Sequence, residues 1–140
     1  MKKYQNVSKV DLPLSPYDVI IVLKDQNDQE NIIRAQVKTA RNSVNFIGGT
    51  RGGVDRTQKS DVKIYRQSPV TSDVIIGCCP KEDHSFDLYF VPTILIDVWD
   101  TGSKSLGKIQ PLLFNYDFLE NSNTIYIIYF LNFALEKRQQ

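Results

Sequence analysis

The chain is poor in the residues from which metal and redox centres are usually built. It has one histidine, His84, and two cysteines, Cys78 and Cys79, in 140 residues. One His and one Cys pair do not supply four ligands at any usual spacing, which argues against a structural zinc site. Adjacent cysteines bridge only with strain, so the pair reads as free thiols in a reducing, cytoplasmic setting. Long apolar runs are scarce as well. The opening Met1-Lys2-Lys3-Tyr4-Gln5-Asn6 has no signal-peptide-like stretch. The longest apolar run, Ile125 to Leu135, is broken by Asn132 and is roughly half as long as a membrane span. No membrane association is expected. Net charge is small too, +1 from 17 basic and 16 acidic residues, unlike a histone-type polycation.

What is present is an ordinary globular composition, 41% apolar and 24% charged, at a length that suits a single domain over residues 1–140. The near-zero charge conceals an uneven distribution. Residues 1–33 carry four basic and five acidic groups, residues 34–66 carry eight against two, and the rest carry five against nine. The excess of six positive charges in the middle is a candidate surface for an anionic partner.

Strand patterns dominate. Residues 17–23 form a short apolar run closed by a polar turn, and residues 32–40 alternate at period two as its hairpin partner. Val44-Asn45-Phe46-Ile47 reads as a third strand. Residues 48–61 hold four glycines without periodicity and read as a long loop. Residues 73–79 and 87–92 read as two further strands, separated by a polar turn that contains His84, for which no catalytic part is expected. Residues 93–99 are apolar, and residues 124–137 fit strand or helix. Trp99, Tyr126, Tyr129, Phe130 and Phe133 are expected to cover the sheet or form a dimer surface. The expected fold is α/β, a mixed sheet with few helices.

One spacing carries chemistry. Asp18 stands at the start of the first run, and Gln36 and Lys38 lie one residue apart on its partner. Residues i and i+2 of a strand share a face, so Gln36 and Lys38 project together while Val37 is expected to turn into the core. A hairpin brings Asp18 beside them. A hard divalent cation suits such oxygen donors: the Asp18 carboxylate, the Gln36 amide and the Val37 carbonyl. Lys38 is placed to neutralise charge on a phosphate. Asp61-Val62-Lys63 offers a competing string, without an apolar strand before it.

Tyr17-Asp18-Val19-Ile20 followed by Arg34-Ala35-Gln36-Val37-Lys38-Thr39-Ala40-Arg41 resembles the PD-(D/E)XK nuclease superfamily. The closest branch has Gln in place of the second motif's acid and includes restriction-type and small intron-encoded endonucleases. Residues 65–77 and 88–92 are similar to that branch's later core strands, and Gly49-Thr50-Arg51-Gly52-Gly53-Val54-Asp55-Arg56 looks like restriction-type members. The resemblance covers about residues 14–95 and leaves 96–140 as a C-terminal extension.

The resemblance implies a restriction-endonuclease-like mixed β-sheet core and an endodeoxyribonuclease dependent on Mg²⁺ or Mn²⁺. Asp18, Gln36 and Lys38 match the catalytic positions, and Asp18, Gln36 and Val37 the metal side. Double-stranded DNA is the implied partner, contacted by Arg41, Arg51, Arg56, Lys59 and Lys63. Cutting both strands implies a homodimer or higher homo-oligomer. The family's usual N-terminal helix has no counterpart in residues 10–16, which hold two prolines. That departure supports an alternative, a truncated or impaired nuclease-fold remnant that binds DNA or a protein partner.

Overall fold

The computed structural model describes residues 7–11, 15–50 and 63–123, apart from the side chains of residues 49–50 and 63–64. A five-stranded sheet forms from β1 (Val7–Lys9), β2 (Val19–Lys24), β3 (Glu30–Thr39), β7 (Val74–Pro80) and β8 (Phe86–Pro92), in that spatial order. Only β3 and β7 run parallel; the other neighbours are antiparallel. The sheet is therefore mixed, as the patterns predict, and the described part of the chain is strand-rich with few helices.

Among the described residues, the connection from β3 to β7 holds strands and no helix. β4 (Ser43–Asn45) pairs with β9 (Ser103–Ser105), and β5 (Ile47–Thr50) pairs with β6 (Lys63–Arg66). Two readings are corrected here. The expected third strand over residues 44–47 breaks at the buried Phe46, and the start of the expected loop is strand, with Thr50 opposite Lys63. Two glycines hid that ladder. Residues 93–99, apolar in sequence, form helix α1 (Thr93–Trp99). A 3-10 helix (Leu106–Leu112) and helix α2 (Tyr116–Glu120) follow.

Period-two alternation decides what each face of the sheet meets. Val37, Ile76 and Phe90 stand side by side on one face, and Lys38, Gly77 and Tyr89 on the other. Phe90 meets Tyr116 of α2 on the first face, with ring centroids 5.1 Å apart. On the second face Val44 of β4 sits over Gly77: a Cβ there would come within 2.8 Å of the valine Cγ2. Trp99, expected to cover the sheet or form a dimer surface, stacks on Phe46 between β4 and β5, with ring centroids 6.1 Å apart. Residues 124–140, with the other aromatics expected to cover the sheet, lie outside the described residues.

The turn before β7 is clamped electrostatically. Arg34 of β3 donates from Nη2 to Asp73 Oδ1 at 3.0 Å and from Nε to Oδ2 at 3.2 Å, while its backbone N–H donates to the same Oδ2 at 2.8 Å. The guanidinium also donates to the carbonyls of Pro69 and Val70. The hydrogen bond to Asp73 raises the Arg34 pKa above its ordinary value, against the opposing effect of burial.

Candidate functional site

The β2–β3 hairpin places the cluster. Its register sets Val19 against Ala35, and Ile21 against Ile33. Asp18 lies in a bend one residue before β2, just past the Val19–Ala35 pair and beside the strand that carries Gln36 and Lys38 on one face. Asp18 donates its N–H to the Ala35 carbonyl at 2.8 Å, and its carbonyl accepts from Val10 N–H at 2.8 Å. Its carboxylate Oδ2 accepts from the Val37 N–H at 2.9 Å. The side chain thus takes up a β3 donor just beyond Val19, the first residue of β2. Asp18, Gln36 and Lys38 are all half-buried, so the cluster is open to solvent but backed by the sheet.

Val37 requires a correction. It does not turn into the core but is 36% exposed, although Ile33 and Ala35 on the same face are fully buried. Val19 is the last residue of β2 paired with β3, so Val37 lies beyond that strand's cover. It lines an apolar cleft of about 750 Å³ with Val19, Ile76, Cys78, Leu88 and Tyr116, among others. Burial pushes the Cys78 thiol pKa up, and both cysteines are free thiols.

The exposed backbone of Val37 matters to the site. In an extended strand the N–H and C=O of one residue point toward the same neighbour. Since the Val37 N–H meets Asp18, its carbonyl faces the same side. The Asp18 carboxylate and the Val37 carbonyl thus lie along the same edge of β3, and with the neighbouring Gln36 amide they are the oxygen donors that could hold a hard divalent cation. A carboxylate has about four lone-pair sites, so accepting one amide leaves capacity for a cation. Gln36 adds no charge to the set.

Lys38 is held from the crossover layer: its Nζ donates to the Ile47 carbonyl of β5 at 3.2 Å. The β5–β6 ladder therefore ends beside the cluster. Arg41 lies in the exposed bend just after β3, three residues from Lys38. Lys63 begins β6 opposite Thr50, without a described side chain. Arg51, Arg56 and Lys59, and Asp61-Val62 of the competing string, lie outside the described residues.

The basic middle segment is less free than its count suggests. Arg34 is committed to Asp73, and Arg66 donates to Asp100 at 2.6 Å with Asp97 at 3.9 Å. Two of the eight basic groups thus have carboxylate partners from outside the segment. One buried residue escaped the sequence reading altogether. Gln67, 1% exposed, places its amide between the residue 68–72 turn and Pro16, two residues before Asp18. No spacing motif marks it; its position after a β-branched and aromatic strand is the only signal.

Comparison with known proteins finds no matching family model, no matching curated protein and no matching solved structure.

Proposed function

We propose that this chain is a divalent-metal-dependent DNA endonuclease, restriction-type in character, that hydrolyses phosphodiester bonds through Asp18, Gln36 and Lys38. The observation that carries the reading is the docking of the Asp18 carboxylate on the Val37 amide, between Gln36 and Lys38 in β3. The Tyr-Asp and Gln-Val-Lys strings that resemble the nuclease superfamily are thereby brought to one patch. Asp18, Gln36 and the Val37 carbonyl would hold Mg²⁺ or Mn²⁺. Such an ion, when bound, supplies Lewis acidity at a phosphoryl oxygen and lowers the pKa of water. The Lys38 ammonium, turned from the Ile47 carbonyl toward the patch, offsets the charge that develops on the phosphate.

Double-stranded DNA is the proposed partner, contacted by Arg41 just after β3, by Lys63 at the start of β6, and by Arg51, Arg56 and Lys59 between β5 and β6 in sequence. A homodimer or higher oligomer would bring one site to each strand. A cytoplasmic location fits DNA cleavage; among the described residues no helix is long and apolar enough to cross a membrane.

A second reading is that the chain binds DNA, or a protein partner, without cutting. The engagement of Lys38 with a backbone carbonyl favours it. Plasmid DNA with Mg²⁺ or Mn²⁺ separates the two, assayed beside Asp18→Ala and Lys38→Ala. Cleavage lost in both variants supports the nuclease. Salt-sensitive binding without cleavage by the unmodified chain supports the second reading.

A further inference from the structure

We propose that Gln67 is a positioning residue that sets the Asp18 carboxylate against Val37. For its functional consequence this rests on the metal-site reading above; its geometric content stands without it. Gln67 follows β6 directly, and its backbone N–H donates to the Phe46 carbonyl at 2.8 Å. Its Oε1 accepts from Thr71 Oγ1 at 2.6 Å and from Ser72 Oγ at 2.8 Å. Two hydroxyl donors fill the two lone pairs of an amide oxygen, which fixes which end of the amide faces the turn. The Nε2 end is left to donate to the Pro16 carbonyl at 3.3 Å. Proline has no N–H, so this carbonyl is its sole backbone hydrogen-bonding group.

The platform beneath the amide is rigid. Thr71 N–H donates to the Ser68 carbonyl and Ser68 N–H to Thr71 Oγ1, each at 3.0 Å. Arg34 holds the Pro69 and Val70 carbonyls and pairs with Asp73 at the end of the same turn. The same guanidinium lies 5.8 Å from the Tyr17 ring centroid, between Pro16 and Asp18. The approach to Asp18 is thus gripped at Pro16 by a buried amide and at Tyr17 by a cation, both fixed to one turn.

A second, independent feature makes room for the amide. Gly48 of β5 is buried, and a Cβ there would lie 3.1 Å from Gln67 Nε2. A side chain at that point would press directly on the donor that reaches Pro16. Packing alone does not account for a polar residue here. An apolar one of similar size would leave two hydroxyls and the Pro16 carbonyl without this partner.

The Val37 amide reports the outcome, because its N–H meets the Asp18 carboxylate. In the full unmodified chain, its proton resonance is expected downfield and slow to exchange. Gln67→Met is expected to move it toward its position in Asp18→Ala and speed its exchange at least about tenfold, with the Ile33 and Ile76 amides unmoved. If Gln67→Met does not fold, Gln67→Glu serves instead, since it keeps an acceptor for Thr71 and Ser72 and replaces the donor toward Pro16. A Val37 resonance unchanged while the Thr71 and Ser72 amides shift would overturn the proposal and leave Gln67 with a structural role only.

Mn²⁺ titration adds the functional arm. Broadening of Val37 in the unmodified chain, with affinity lowered about tenfold or more in the Gln67 variant, is the expected result. Broadening at equal affinity in both chains would overturn the role in metal binding. No broadening in the unmodified chain counts against the metal site itself, while the Val37 shift still decides whether Gln67 positions Asp18.

Discussion

The Asp18 carboxylate accepts the Val37 amide at 2.9 Å, so a side chain takes the place that backbone preceding β2 would fill if the strand continued toward the N-terminus. An acidic group is thereby fixed at a strand end without being buried. Its structural and chemical parts can be separated. Asp18→Asn keeps an acceptor for Val37 and should leave stability within about 0.5 kcal/mol, whereas Asp18→Ala should cost about 1 kcal/mol in urea unfolding. Under the proposed function both abolish cleavage, because both remove the anionic ligand. An Asn variant that cuts at the unmodified rate would remove Asp18 from the chemistry.

Gly77 stands opposite Lys38, and its missing side chain admits Val44. Gly77→Ala places a methyl 2.8 Å from the valine Cγ2 and should destabilise the fold by about 1–3 kcal/mol through overpacking. Adding Val44→Ala should return part of that loss. Thermal unfolding of the two singles and the double checks this, and strict additivity would show that the contact is not the cause.

Asp73 accepts three hydrogen bonds from Arg34, one of them from the backbone. Asp73→Ala should cost about 3 kcal/mol, since it strands a half-buried guanidinium and an amide together. Removing the charge of the partner should soften the effect, so Arg34→Met with Asp73→Ala should cost less than the sum of the singles. Urea denaturation of all four chains measures the coupling.

Stability should fall on the alkaline side. Burial raises the Cys78 thiol pKa above its ordinary 9.0 and the Tyr89 phenol pKa above its ordinary 10.0, the latter with help from Asp87. Both groups prefer to stay protonated in the folded chain. Their contribution is complete below the ordinary values and is lost as pH rises through the raised ones. Unfolding free energy should therefore begin to drop as pH rises through the ordinary thiol value of 9.0 and keep falling above the ordinary phenol value of 10.0, and Cys78→Ala should flatten the first part of the slope. An unchanged slope in that variant would assign the loss elsewhere.

The sequence made the central hairpin legible because Ile33, Ala35 and their neighbours alternate regularly beside a second apolar run, although the register comes only from the structure. The same alternation put Gln36 and Lys38 together. It misplaced Val37, since periodicity tells which residues share a face but not how far along the strand that face stays covered. β1 has three exposed residues and no pattern at all. The β5–β6 ladder was masked by glycines, which read locally as loop. Arg34 and Arg66 looked like free cations because their carboxylates lie more than thirty residues away in the chain. Gln67 was silent in part for the same reason: besides Thr71 and Ser72 nearby, it reaches Pro16, fifty-one residues earlier.

The parallel pairing of β3 with β7 has a consequence for the order in which the molecule assembles. Asp18, Gln36 and Lys38 belong to one hairpin, which can close within microseconds of its synthesis. The turn that braces them arrives only after the chain has travelled through β4, β5 and β6 and returned. Closing so long an excursion is slow relative to hairpin formation. The hairpin is thus expected to form before the turn that braces it, so a nascent or partly folded chain would carry Asp18, Gln36 and Lys38 without their final alignment.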